Sequence, residues 1–151
     1  MNAALQTTTV LPPGMHPDEW AARLELAACY RVFALLGWTE MIYNHITLRL
    51  PDSVTNFRQE GAESPAAGPP QGGAAPSGGS DPRSGGAWGP QFLINPFGLH
   101  YSEVTASNLV KIDLKGTVLD ASAHRVNPAG FTVHAAIHDG IEGAHCVMHT
   151  H

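Results

Sequence analysis

The sequence predicts an α+β domain with a mixed or antiparallel sheet, and three observations carry that prediction. Apolar residues recur at helical spacing between Pro17 and Leu36, and again between Phe131 and Ile141. Residues 41–50, MIYNHITLRL, alternate with period two and are rich in β-branched side chains. Val110 to Leu119 reads as strand, Lys115-Gly116 turn and strand, so neighbouring strands meet antiparallel.

The elements follow in order. Residues 1–16 form a polar tail ending in Pro12-Pro13-Gly14. Asp18 is the expected N-cap of the first helix, and Gly37 the residue that ends it. Its expected apolar face carries Trp20, Leu24, Ala28, Val32 and Leu35, with Cys29 beside it. The strand over 41–50 stops at Pro51-Asp52. Residues 52–90 have neither period, and within 61–90 there are 25 Gly, Ala, Pro or Ser among 30 residues. Such a segment buries too little apolar surface to offset its ordering entropy, so 52–90 reads as a disordered insertion. A fold tolerates one, because loop-closure entropy grows only logarithmically with length. Phe92-Leu93-Ile94 is a short strand closed by Asn95-Pro96-Phe97-Gly98. Thr105 is positioned to cap a short helix through about Leu109, and 122–130 reads as loop. Phe131, His134, Ala135 and His138 share one stripe of the second long helix. Cys146 to His151 is an apolar strand.

Composition narrows the function classes. With 8 Lys plus Arg against 13 Asp plus Glu, the net charge of −5 excludes a general basic footprint for nucleic acid or anionic lipid. No apolar run approaches the roughly 18 residues that span a bilayer. Met1 to Val10 has no basic and apolar leader pattern, so a cytoplasmic protein is expected. Cys29 and Cys146 lie far apart in apolar runs, which predicts buried free thiols in a reducing compartment. The unusual entry is histidine, 9 residues against 8 Lys plus Arg.

Two histidine pairs have spacings that matter. His149 and His151 stand at i and i+2 on a strand, so both imidazoles point to one face. Such a pair suits a shared zinc or other late first-row ion, although it also occurs as surface or core decoration. A catalytic zinc needs three protein ligands and an open position, so two are too few. His134 and His138 stand at i and i+4 on a helix, but Ala135 replaces the glutamate of the HExxH metalloprotease pattern. Asn44, Asn95-Pro96-Phe97-Gly98 and Asn127-Pro128-Ala129-Gly130 begin or border turns. Turns of this kind either present N–H groups to anions or serve the chain reversal alone. No GxxxxGK[ST], GxGxxG, CxxC or GxSxG string is present.

Four strings in order, YNHIT (43–47), FLINPFGLHYSEVTASNLVKIDLKG (92–116), VNPAGFTVHAAIH (126–138) and CVMHTH (146–151), resemble the class II aldolase/adducin domain. The resemblance runs from about residue 17 to 151, less the insertion, and is nearest the adducin branch and its bacterial relatives. It implies α/β/α layers around a central, mostly antiparallel sheet flanked by helices. It implies Zn2+ as cofactor, with His149 and His151 as the first two ligands and a third beyond residue 151. It puts the substrate pocket near Asn44, Asn95 and Gly98 and at the Pro128-Ala129 turn. The chain departs from the aldolase pattern at three points. Gly130 replaces the acid/base glutamate, which leaves proton transfer to His134 or to a residue downstream. Tyr43-Asn44 replaces Gly-Asn, and Pro128-Ala129 replaces paired serines. The third departure is at the end: further strands are expected after His151, so the chain reads as an N-terminal fragment with an unpaired sheet edge.

Three functions are compatible with these residues. The first is a zinc-dependent aldolase-like lyase for a small hydroxy-carbonyl or sugar-derived substrate. The second is a non-catalytic adducin-like scaffold that self-associates and contacts actin or the cytoskeleton. The third is a fragment without function of its own. The expected partners are accordingly a small-molecule substrate or a cytoskeletal protein, and a homo-oligomer is expected for the full-length form.

Overall fold

The computed structural model describes residues 10–55 and 89–151. Helix α1 spans Pro17–Leu36, followed by strand β1, His45–Arg49, and a single helical turn α2, Asp52–Thr55. Strand β2 is Gln91–Ile94, β3 is Val110–Asp113, helix α3 is Pro128–Gly140 and β4 is Cys146–His149. Among the described residues the sheet has four strands in the order β3-β2-β1-β4, and each of their pairings is antiparallel. α1 packs on one face and α3 on the other, giving the expected helix–sheet–helix layering.

The parity of the strands sorts residues between the two faces. Ile46, Leu50 and Leu93 join Leu26, Ala27 and Tyr30 of α1 in one apolar cluster. Phe92, Ile94, Val110 and Ile112 meet Phe131 of α3 in a second, on the opposite face. The Tyr30 hydroxyl pins the first cluster to the sheet. It accepts from the Ile46 N–H at 3.1 Å and the Asn95 N–H at 3.2 Å, so it ties β1 to the end of β2.

α1 has the predicted ends but not the predicted face. Its N-cap is His16, whose Nδ1 accepts from Asp18 N at 3.1 Å, rather than Asp18. Gly37 closes it at φ 72°, as its position after the last turn requires. The buried residues are Glu19, Arg23, Leu26, Ala27 and Tyr30, while Val32 and Leu35 of the expected stripe are 52% and 86% exposed. The stripe is displaced because α1 buries charges. Arg23 pairs with Glu19 Oε1 at 2.9 Å and Asp120 Oδ2 at 2.8 Å, and Lys111 reaches Glu19 Oε2 at 2.9 Å. Arg23 also donates to the Leu109 carbonyl at 2.6 Å. Buried charges survive when paired and hydrogen-bonded in this way.

Other boundaries also move. β1 begins at His45, because Met41 takes a left-handed φ of 52° and Tyr43 N closes a turn onto Glu40 O. Residues 52–55, expected to be part of the insertion, are instead helical, with Val54 buried in the α1-side core. The remainder of that expectation, over 56–88, and the tail over 1–9 lie outside the described residues. Thr105 caps a single turn rather than a helix, its Oγ1 accepting from Asn108 N, and an unpredicted 3-10 turn covers Tyr101–Glu103. The 110–119 hairpin turns at Gly116, φ 79°, but its second arm is one bridge, Ile112 to Val118. α3 starts three residues early, at Pro128, with Asn127 as N-cap. Cys29 is only partly buried and Cys146 is exposed, because β4 is an edge strand, which corrects the buried-thiol expectation.

Candidate functional site

The face of the sheet under α3 collects histidine. Register pairs His45 on β1 with His149 on β4, and β-strand parity puts Thr47 on the same face as both. α3 lays His134 and His138 over them, 2% and 3% exposed. The His45 and His134 rings lie 4.4 Å apart between centroids, and the His45 and His149 rings 5.0 Å. His149 and His151 stack at 4.8 Å with their Nε2 atoms 2.8 Å apart. Four of the chain's histidines thus adjoin one another, and His138 joins them through Thr47.

The predicted HxH geometry is therefore present: both imidazoles stand on one face with their Nε2 atoms together. Two lone pairs do not face each other at that distance, so one Nε2 donates a hydrogen bond to the other. Glu40 decides where the proton of His151 sits. Its Oε2 is 3.2 Å from His151 Nδ1, which holds the ring proton there and frees Nε2. A carboxylate behind a histidine is the usual outer partner of a metal-bound imidazole. Asn44 completes the support. It is 2% exposed, its Nδ2 donates to the Glu40 carbonyl at 3.0 Å, and its Oδ1 accepts from His151 N at 2.9 Å. Among the described residues no group of three or more His, Cys, Asp or Glu side chains is arranged to hold a metal ion.

The other predicted site residues separate into two groups. His134 joins the histidine cluster. Asn95 and Gly98 arrive at the same end of the sheet, but the hydrogen bonds of Asn95 go to Tyr30 and Pro96 and not to the histidines. Asn95 is 5% exposed, with its N–H on the Tyr30 hydroxyl. Gly98 is exposed at φ 96° in the turn after Asn95.

Gly130 has a definite structural role. A Cβ built there would stand 2.7 Å from both Cε1 and Nε2 of His45. The imidazole of His45 thus fills the space that a side chain at 130 would enter. Sequence reading missed His45, Thr47 and Glu40. His45 stood inside the quoted YNHIT string, and its place beside His149 follows from strand register alone. Thr47 meets its partners 87 and 91 residues away, which no local pattern reveals.

Burial sets the electrostatics. His134 is pushed down to about 3, first by burial and then by His45, His138 and His149. Burial also lowers His138, and lowers His149 together with the neighbouring His45 and His151. His134, His138 and His149 are therefore held toward the neutral form, the state in which imidazole accepts hydrogen bonds.

Comparison with known proteins agrees with this fold. Residues 24–151 match the model of the Class II Aldolase and Adducin N-terminal domain. A Caulobacter vibrioides protein, whose name assigns it provisionally to the class 2 aldolases, is 41% identical over 135 residues, covering 88% of this chain and 38% of that protein. Alpha-adducin of Rattus norvegicus is 40% identical over 131 residues, covering 85% of this chain and 13% of that protein. The crystal structure of an aldolase II superfamily protein from Pseudomonas syringae superposes with a TM-score of 0.63 at 36% identity, covering 91% of this chain and 41% of that one. The chain thus spans about two fifths or less of the length of the relatives it matches.

Proposed function

We propose, from the premise that this chain belongs to the class II aldolase and adducin N-terminal domain family, that it carries two zinc ligands of an aldolase-like lyase site. The substrate is a small hydroxy-carbonyl or sugar-derived compound. The observation that supports this most directly is the His149–His151 pair, Nε2 to Nε2 at 2.8 Å, with Glu40 behind His151 Nδ1. Two neutral imidazoles with the carboxylate on the far nitrogen are a donor set that zinc accepts.

A zinc held there supplies Lewis-acid stabilisation to oxygens that gain negative charge during C–C cleavage. The chain's own residues do the rest. His149 and His151 hold the ion, Glu40 fixes the His151 ring, and Asn44 anchors the His151 backbone. The proton acceptor is His134 or a residue downstream of His151, since Gly130 has no side chain to serve. Gly98, exposed in the turn after Asn95, borders the substrate at the end of the sheet, and Asn95 holds that turn in place from its buried position. Zinc analysis of purified protein tests the reading: bound zinc that disappears in His149→Ala is expected, and zinc-free protein in both forms would refute it. Glu40→Ala is expected to weaken zinc affinity by about 10–100-fold.

A second reading is favoured by Gly130, where the His45 ring leaves no room for an acid/base side chain, together with the similarity to alpha-adducin. On that reading the domain is a scaffold for self-association and actin contact. Co-sedimentation with actin filaments separates the two, pelleting being expected only for the scaffold.

A further inference from the structure

The hydrogen bonds under α3 form one ordered line. The Ala144 carbonyl lies 2.7 Å from His138 Nδ1, His138 Nε2 lies 2.8 Å from Thr47 Oγ1, and Thr47 Oγ1 lies 2.8 Å from His134 Nδ1. A carbonyl only accepts, so His138 carries its proton on Nδ1. His138 is buried and neutral, so its Nε2 is a bare acceptor and takes the one proton of the Thr47 hydroxyl. That hydroxyl has no second proton to give, so His134 Nδ1 must donate to it. His134, also buried and neutral, then has its lone pair on Nε2. The line fixes a tautomer from a backbone carbonyl through two side chains.

The same logic reaches His45 by a separate route. Its Nδ1 is 3.1 Å from the Tyr43 carbonyl, which puts a proton on Nδ1 and leaves Nε2 as the atom that crowds Gly130. The His45 and His134 rings lie 4.4 Å apart at a 37° tilt, and His45 lies 5.0 Å from His149.

We propose that Thr47 and His138 are positioning residues that lock His134 in the Nδ1–H form, so that its Nε2 is a permanent hydrogen-bond acceptor for a hydroxyl group at this site. Thr47 never touches a ligand; it acts through His134. The proposal deepens the lyase reading by giving His134 its basic atom. The hydrogen-bond assignment itself stands without any metal, which lets the two be tested apart.

The test is a long-range 1H–15N correlation spectrum of the labelled full chain at neutral pH with chelator present. We expect His134 and His138 each to show an unprotonated Nε2 and a protonated Nδ1. In Thr47→Val the hydroxyl is gone, and His134 is expected to relax to a mixture of tautomers, while His138, still held by Ala144, keeps its own. Thr47→Ser retains the hydroxyl and is expected to restore the single His134 form. An Nε2–H tautomer at His134 in the unmodified chain would overturn the proposal, and that spectrum decides the matter even if Thr47→Val fails to fold. An unchanged His134 tautomer in a folded Thr47→Val would also overturn it. Loss of zinc binding with the tautomers as predicted would count against the lyase reading alone.

Discussion

The two faces of β1 differ within a single residue. Ile46 and Thr47 are both wholly buried, yet Ile46 faces Leu26, Ala27 and Tyr30 of α1, while Thr47 faces His134 and His138 of α3. Apart from the Tyr30 hydroxyl, the first face is closed by apolar contact, and its charges are pushed to the edge formed by Glu19, Arg23, Lys111 and Asp120. The second face is closed by imidazole, with Phe92 and Phe131 as its apolar flank. One strand thus serves a packing surface and a chemical surface at once. A fold that carries a polar cluster on one side of a sheet needs the other side to supply the hydrophobic stabilisation.

Breaking the packing face should cost most. Arg23→Ala removes the centre of a buried charge network and leaves Glu19 and the Leu109 carbonyl without their main partner. A loss of about 3–5 kcal/mol in denaturant unfolding is expected, as for other buried pairs deprived of one member.

The histidine face is tested by a sign reversal. Gly130→Ala in a helix ordinarily stabilises by about 0.5–1 kcal/mol. Here the new Cβ meets the His45 ring, so a loss of about 1–3 kcal/mol is expected. In a His45→Ala background the same change should stabilise. A double-mutant cycle by chemical denaturation reads the coupling, and independent, additive effects would show that the ring does not fill that space.

Acid should weaken the same face without any mutation. His134 and His138 have folded pKa values below the ordinary 6.5, His134 near 3, through burial. The folded state therefore binds fewer protons than the unfolded chain. Their contribution to stability is complete above pH 6.5 and is lost as pH falls from 6.5 toward 3. Melting temperatures measured across that window should fall, and His134→Phe should flatten the part of the slope that His134 supplies.

What the sequence made legible followed the range of the interactions. Pro17 and Gly37 mark the ends of α1 because capping is local. The HxH pair was legible because strand parity is local too. The buried face of α1 was not, since Glu19 and Arg23 look like surface residues until Lys111 and Asp120 arrive from elsewhere in the chain. Thr47, Glu40 and His45 were missed for the same reason: their roles exist only once α3 and β4 dock on β1. Asn44 was singled out as a substrate residue, and the structure gives both ends of its amide to Glu40 and His151.

The central claim is that the β4 end of the histidine face holds zinc. Calorimetric titration of the chain with zinc at pH 7, beside His149→Ala, tests it most directly. One zinc bound per chain, with at least about tenfold weaker binding in the variant, is the predicted result. Equal affinity in the two proteins, or no heat of binding in either, would contradict it.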